Sequence, residues 1–159
     1  MSPPRKLCVY CGSGNGRNPA YVAAARRLGE LTYGLYAAEG YLARRGAPES
    51  RGALDRHSLV MFTGGVFRAG WRLADAQGEA LIEGPWRLRV NNAFAARDAA
   101  AAGLGIALLP DLVARGTSLV RVLPNIAGPR VPFHAVFPSA RFLAPKVRSF
   151  VDLALELGA

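Results

Sequence analysis

Chemistry that depends on thiols, imidazoles or paired carboxylates has little to work with in this chain. It holds two cysteines and two histidines in 159 residues. Cys8 and Cys11 form a lone CxxC, and His57 and His134 lie far from it in sequence, so the two-pair spacing of a zinc site is missing. On a strand at Leu7–Cys11 the two thiols would point to opposite faces, which favours inert buried thiols over a redox pair. Ser13, Ser58, Ser118 and Ser139 sit in no nucleophile elbow, and neither histidine has a serine or cysteine partner. Asp98 reads as a solvated carboxylate or a partner for Arg97, and no two carboxylates are spaced for acid–base work. No catalytic residue, metal ligand or cofactor is assigned, and a protein that is not an enzyme is expected.

Long apolar runs are missing as well. None approaches the ~20 residues of a membrane span, and the start, MSPPRK, has no apolar signal core. A cytoplasmic protein without membrane contact is expected. Lysine is scarce: only Lys6 and Lys146 occur, so the formal charge of +9 is carried by arginine, which is scattered except at Arg26–Arg27 and Arg44–Arg45. Without a basic stripe or a recognition-helix pattern, direct DNA contact by this chain is not expected. What is present, 51% hydrophobic against 19% charged residues, is the balance of a globular protein with room for one sizeable domain or two small lobes.

The stretch VNNAFAARDAAAAGLGIALLP (Val90–Pro110) carries the strongest local signal. Asn91 and Asn92 suit a helix N-cap, because a short amide oxygen can accept a bond from a first-turn N–H. Ala93–Ala102 propagates the helix with little side-chain entropy to lose, and Gly103 stands where a left-handed C-cap belongs. Leu104–Leu109 then reads as a strand covered on both faces. This strand–helix–strand unit resembles one late in the effector-binding domain of LysR-type transcriptional regulators. YGLYAAEGYLARRG (Tyr33–Gly46), LVRVLP (Leu119–Pro124) and HAVFPSARFLAPKVRSFVDL (His134–Leu153) resemble the same family in the same order, so the likeness covers about residues 26–159.

That resemblance implies an α/β, periplasmic-binding-protein-like (type 2) effector domain with a truncated first lobe and a mostly parallel sheet with an antiparallel insert. The implied division is 1–38 as a Rossmann-like βα unit plus a first-lobe strand, 39–130 as the second lobe, and 131–159 as the return strand and C-terminal helix. The lobe crossings fall near Ala37–Ala38 and Pro132–Phe133. It also implies a bacterial transcription-regulation module without its winged helix-turn-helix. Its partner would be a small-molecule effector, a carboxylate or aromatic metabolite, and a homodimer is compatible with it.

The N-terminus resembles something else. RKLCVYCGSGNGRNPAYVAAARRLGEL (Arg5–Leu31) is similar to the opening strand, loop and helix of LOG-type cytokinin riboside monophosphate phosphoribohydrolases. The later PGG-x-GT-x-x-E motif of those enzymes occurs nowhere in the chain, and Gly64–Gly65 in FTGGVF lacks its Thr and Glu. The loop Cys11–Gly16 reads as a phosphate cradle or as a plain turn. A phosphoribohydrolase-like remnant and a chimeric fragment without activity are therefore the rival readings.

Residue patterns place a strand at Leu7–Tyr10, a helix at Ala20–Leu31 and a strand at Gly34–Ala37, together one βαβ crossover. Trp71–Ala74, Ala80–Ile82 and Trp86–Val90 read as an antiparallel set turned by DAQG. Pro145 opens a terminal helix with Val147, Phe150, Val151, Ala154 and Leu155 on its apolar face. The family likeness implies that Phe62, Thr63 and Gly64 face Asn91 and Asn92 across a cleft. There N–H dipoles and a hydroxyl would meet an anionic effector; the plainer reading is that these residues only cap and turn.

Overall fold

The computed structural model describes residues 8–10, 24–64, 67, 69–137, 149–150 and 152–153. The chain divides into two compact units, one of residues 1–30 with 131–159 and one of residues 31–130.

In the first unit, β1 (Cys8–Tyr10) pairs antiparallel with β9 (Arg130–Phe137), Cys8 opposite Val136 and Tyr10 opposite His134. The expected N-terminal βαβ crossover is not formed. Ala24–Ala38 is a single strand, β2, where a helix was expected through Leu31. Ala, Arg and Leu in that stretch favour a helix by intrinsic preference, but strand pairing outweighs a few tenths of a kcal/mol per residue. Gly29 and the following Leu-Thr-Tyr run weaken the helical option further. The Cys11–Gly16 loop and residues 20–23 lie outside the described residues. So does most of the expected terminal helix, of which 149–150 and 152–153 are helical and Phe150 is half exposed.

The second unit is a sheet in the order β8 (Leu119–Val122), β2, β7 (Ile106–Pro110), β3 (Leu59–Phe62) and β6 (Trp86–Val90), with β2 continuing into it from the first unit. β3 runs parallel to both β7 and β6, while β2 runs antiparallel to β7 and to β8. The sheet is therefore mixed rather than mostly parallel. The expected antiparallel trio is also corrected. β4 (Trp71–Asp75) and β5 (Gly78–Ile82) form a separate hairpin, and β6 leaves it to join β3. The alternating burial of β6, with Trp86, Leu88 and Val90 half buried and Arg87 and Arg89 exposed, is that of an edge strand with one covered face. DAQG does turn the hairpin: the Gln77 N–H donates to Asp75 Oδ1 at 2.8 Å.

Helix α2 (Ala93–Ala101) follows β6 as the sequence indicates. Asn92 caps it, its Oδ1 accepting the Phe94 N–H at 2.8 Å and the Ala95 N–H at 3.2 Å. At the other end Gly103 takes a φ of +76°, and the N–H groups of Gly103 and Leu104 close on the carbonyls of Ala100 and Ala99 at 2.9 and 3.1 Å. That pair of bonds is a Schellman turn, which Gly adopts without the steric cost of a Cβ.

β7 lies between β2 and β3 and is buried along its whole length. Ala107 and Leu109 face α2, meeting Ala96 and Ala100 together with Tyr36 and Val60. Two fully buried alanines on the helix let it approach the sheet closely. Leu35, Leu54, Leu59, Met61, Trp71, Leu73, Ile106 and Leu108 are also fully buried. The remaining helices are short: α1 (Glu39–Arg45), a 3-10 helix (Gly52–Arg56) and α3 (Asp111–Ala114). Among the described residues no helix is long and apolar enough to cross a membrane.

Candidate functional site

Because β3, β6 and β7 are parallel, their carboxyl ends lie along one edge of the sheet. Three segments leave that edge: Thr63–Gly64 after β3, Asn91–Asn92 after β6, and Asp111 after β7. In folds of this kind the carboxyl edge is where backbone donors and short polar side chains collect, free of strand pairing.

The structure brings Thr63 against the β6 end. Phe62 is in register with Val90, and the Val90 carbonyl accepts both the Thr63 N–H at 2.7 Å and the Thr63 hydroxyl at 3.2 Å. The next two residues are Asn91 and Asn92, both exposed, so the two expected segments adjoin. Phe62 supplies an apolar wall: its ring lies 5.9 Å from that of Phe67, which in turn lies 4.8 Å from that of Tyr33.

The available donors differ from those expected. Phe94 and Ala95 already give their N–H groups to the Asn92 side chain, and Ala96 gives its own to the Asn92 carbonyl at 3.1 Å. Among the described residues only the Ala93 N–H of the first turn is left without an acceptor. The single hydrogen of the Thr63 hydroxyl is likewise engaged, although at a long 3.2 Å. A bound anion would therefore use Ala93 and the exposed Asn91 amide, or displace the cap. Arginine, left out of the sequence reading of this site, flanks it at Arg89 and Arg97. Arg97 stands 5.1 Å over the exposed Phe94 ring and pairs with Asp98 at 2.7 Å.

Sequence reasoning missed Asp111. Its Oδ2 accepts the Thr32 hydroxyl at 2.7 Å and its Oδ1 the Tyr36 hydroxyl at 2.8 Å, with Arg121 Nη1 3.6 Å from Oδ2. Burial, together with this carboxylate neighbour, pushes the Tyr36 phenol up to about 12 from an ordinary value of 10.0. The network ties β2, β8 and α3 together at the edge where Thr63 and Asn91 also emerge. Its sequence signal was the four-residue spacing of Thr32 and Tyr36, which puts both on one face of a strand, but nothing in that spacing points to Asp111, 75 residues or more away. Among the described residues no group of His, Cys, Asp and Glu could hold a metal ion.

A mixed α/β sheet with polar residues gathered at the ends of its parallel strands is an arrangement that ligand-binding domains commonly use. Residues 14–159 match the LysR substrate binding domain model, and the chain belongs to that family. It is 31% identical over 148 residues to the uncharacterized HTH-type transcriptional regulator YhjC of Escherichia coli K12, covering 89% of this chain and 50% of that protein. The full-length structure of the Vibrio cholerae virulence activator AphB, a member of the LTTR family, superposes with a TM-score of 0.72 at 26% identity, covering 89% of this chain and 50% of that one. The regulatory domain of CrgA from Neisseria meningitidis, at 24% identity, shares the fold with a TM-score of 0.79 over 95% of this chain and 75% of its own. The chain spans about half the length of the curated relatives it matches. The match begins at residue 14, inside the Arg5–Leu31 segment likened to LOG-type enzymes, and that second likeness is not supported.

Proposed function

We propose that this chain is the effector-sensing part of a LysR-type transcriptional regulator, acting in the cytoplasm by binding rather than catalysis. Its ligand is a small carboxylated or aromatic metabolite held beside Phe62, Thr63, Gly64, Asn91 and Asn92. The observation that carries this reading is the junction of β3 and β6, where the Thr63–Val90 bonds set a hydroxyl and an aromatic wall beside a capped helix start. The partial positive charge at that helix start favours an anion, and the Phe62 ring favours a flat apolar body next to it. Few uncommitted donors point to micromolar or weaker affinity. Relatives named HTH-type are about twice as long as their matched part, so DNA contact is assigned outside the residues of this chain. A homodimer is compatible with this role.

A thermal-shift screen against small organic acids finds the ligand, since a compound at 100 times its Kd adds about 2.7 kcal/mol. Asn92→Asp then separates capping from binding. Aspartate caps a helix as well as asparagine does, so stability should hold, while its charge should repel an acid and weaken binding about tenfold. Thr63→Val should also weaken it. Unchanged affinity in both variants would remove the ligand from this edge.

A further inference from the structure

The other end of β3 carries a second concavity. His57 and Ser58 enter β3 at its amino end, away from Thr63, and beside them lies a cavity of about 680 Å³ walled by Arg45, Glu49, Ser50, Arg56 and His57. It is built by the turn from α1 to the 3-10 helix, entirely within residues 31–130.

Its walls are rich in uncommitted donors. Arg51, in the same turn but not in the cavity wall, is tied to Asp75 at 3.3 Å and to the Gly78 carbonyl at 2.7 Å. Arg45 and Arg56 have no carboxylate partner among the described residues; Arg45 Nη2 donates to the Arg56 carbonyl at 3.0 Å, which steadies it on the rim. The Ser50 Oγ accepts the Ala53 N–H at 3.3 Å, leaving its own hydrogen to give. The buried His57 imidazole completes the set. Tyr41 takes the Ser58 N–H on its hydroxyl oxygen at 2.9 Å and stands 3.2 Å from His57 Nδ1. The arrangement that gives the phenol hydrogen an acceptor makes Nδ1 the receiver and leaves the Nε2–H as a donor. Glu49 adds one acceptor.

We infer that this cavity binds a small oxyanion, a phosphate or a carboxylate, between the Arg45 and Arg56 guanidinium groups, with Ser50 and His57 completing the hydrogen bonding. Guanidinium groups recognise both oxyanions through the same forked geometry, and the Glu49 carboxylate selects ligands that also carry a hydroxyl. The site is separate from the effector edge and does not rest on the function proposed there.

Calorimetric titration of the full chain at low ionic strength with inorganic phosphate, and separately with citrate, tests it. Binding of either probe, weakened about tenfold by Arg45→Gln together with Arg56→Gln, is the expected result. Arg72→Gln together with Arg87→Gln removes the same two charges from exposed residues outside the cavity, and should change affinity less than about twofold. Burial and the Arg45 charge hold the His57 imidazole below its ordinary value of 6.5, so a bound anion should raise its titration midpoint by nuclear magnetic resonance. No binding of either probe, or an equal loss in the Arg72→Gln, Arg87→Gln control that reduces the effect to the chain's overall positive charge, would overturn the inference.

Discussion

Ile106→Asp is expected to unfold the unit formed by residues 31–130. Ile106 is fully buried and opens β7, which lies between β2 and β3. A carboxylate there would lose its hydration without gaining a partner, and the isoleucine packing would be lost as well. The loss should be about 4 kcal/mol or more, a large part of a typical domain's stability. Chemical denaturation followed by circular dichroism measures it. Leu112→Asp is the control: Leu112 is 62% exposed, so the same charge there should cost less than about 0.5 kcal/mol. A parent-like midpoint for Ile106→Asp would place β7 outside the core.

The second large effect is expected one residue earlier. A Cβ on Gly105 would meet the Ser58 carbonyl oxygen and come within 2.7 Å of its carbon. Those are backbone atoms, and the same carbonyl accepts the Ile106 N–H at 2.9 Å, so neither chain can move without breaking the start of the β3–β7 pairing. Gly105→Ala should therefore destabilise by about 2–3 kcal/mol, as overpacking does in a closed core. Gly52→Ala is the comparison, because the only atom within 4 Å of its added Cβ would be Ser50 Oγ, at 4.0 Å. That change should be close to neutral. Equal effects at the two glycines would mean that the close approach at Gly105 is not what requires glycine there.

Where local and long-range preferences agree, this fold can be read from the residues alone. Asn92, the alanine run, Gly103 and the apolar β7 each favour the same strand–helix–strand, and the caps form as their residue types indicate. Residues 24–31 show the opposite case. Their composition favours a helix, yet they extend as a strand, and the partners of β2 in the second unit lie more than 70 residues away. The direction of β6 was hidden for a similar reason: its sequence alternates like a hairpin strand, and only its place beside β3 makes it parallel. For the candidate site, the residue types at Thr63, Asn91 and Asn92 were visible, and their adjacency followed from family likeness rather than from spacing. Asp111 and the Arg45–Arg56 cavity were not visible. Each needs side chains from separate elements, and His57 reads in sequence only as the residue that ends a helical turn.

Binding of a small acid at the carboxyl edge of the sheet in residues 31–130 can be located residue by residue. Following the backbone amide signals of the isotope-labelled chain, while the acid selected by screening is added, tests it most directly. The largest shifts should fall at Phe62–Gly64 and from Val90 through Ala95. Shifts that leave those amides unmoved and gather elsewhere, around Arg45–His57 for instance, would contradict it.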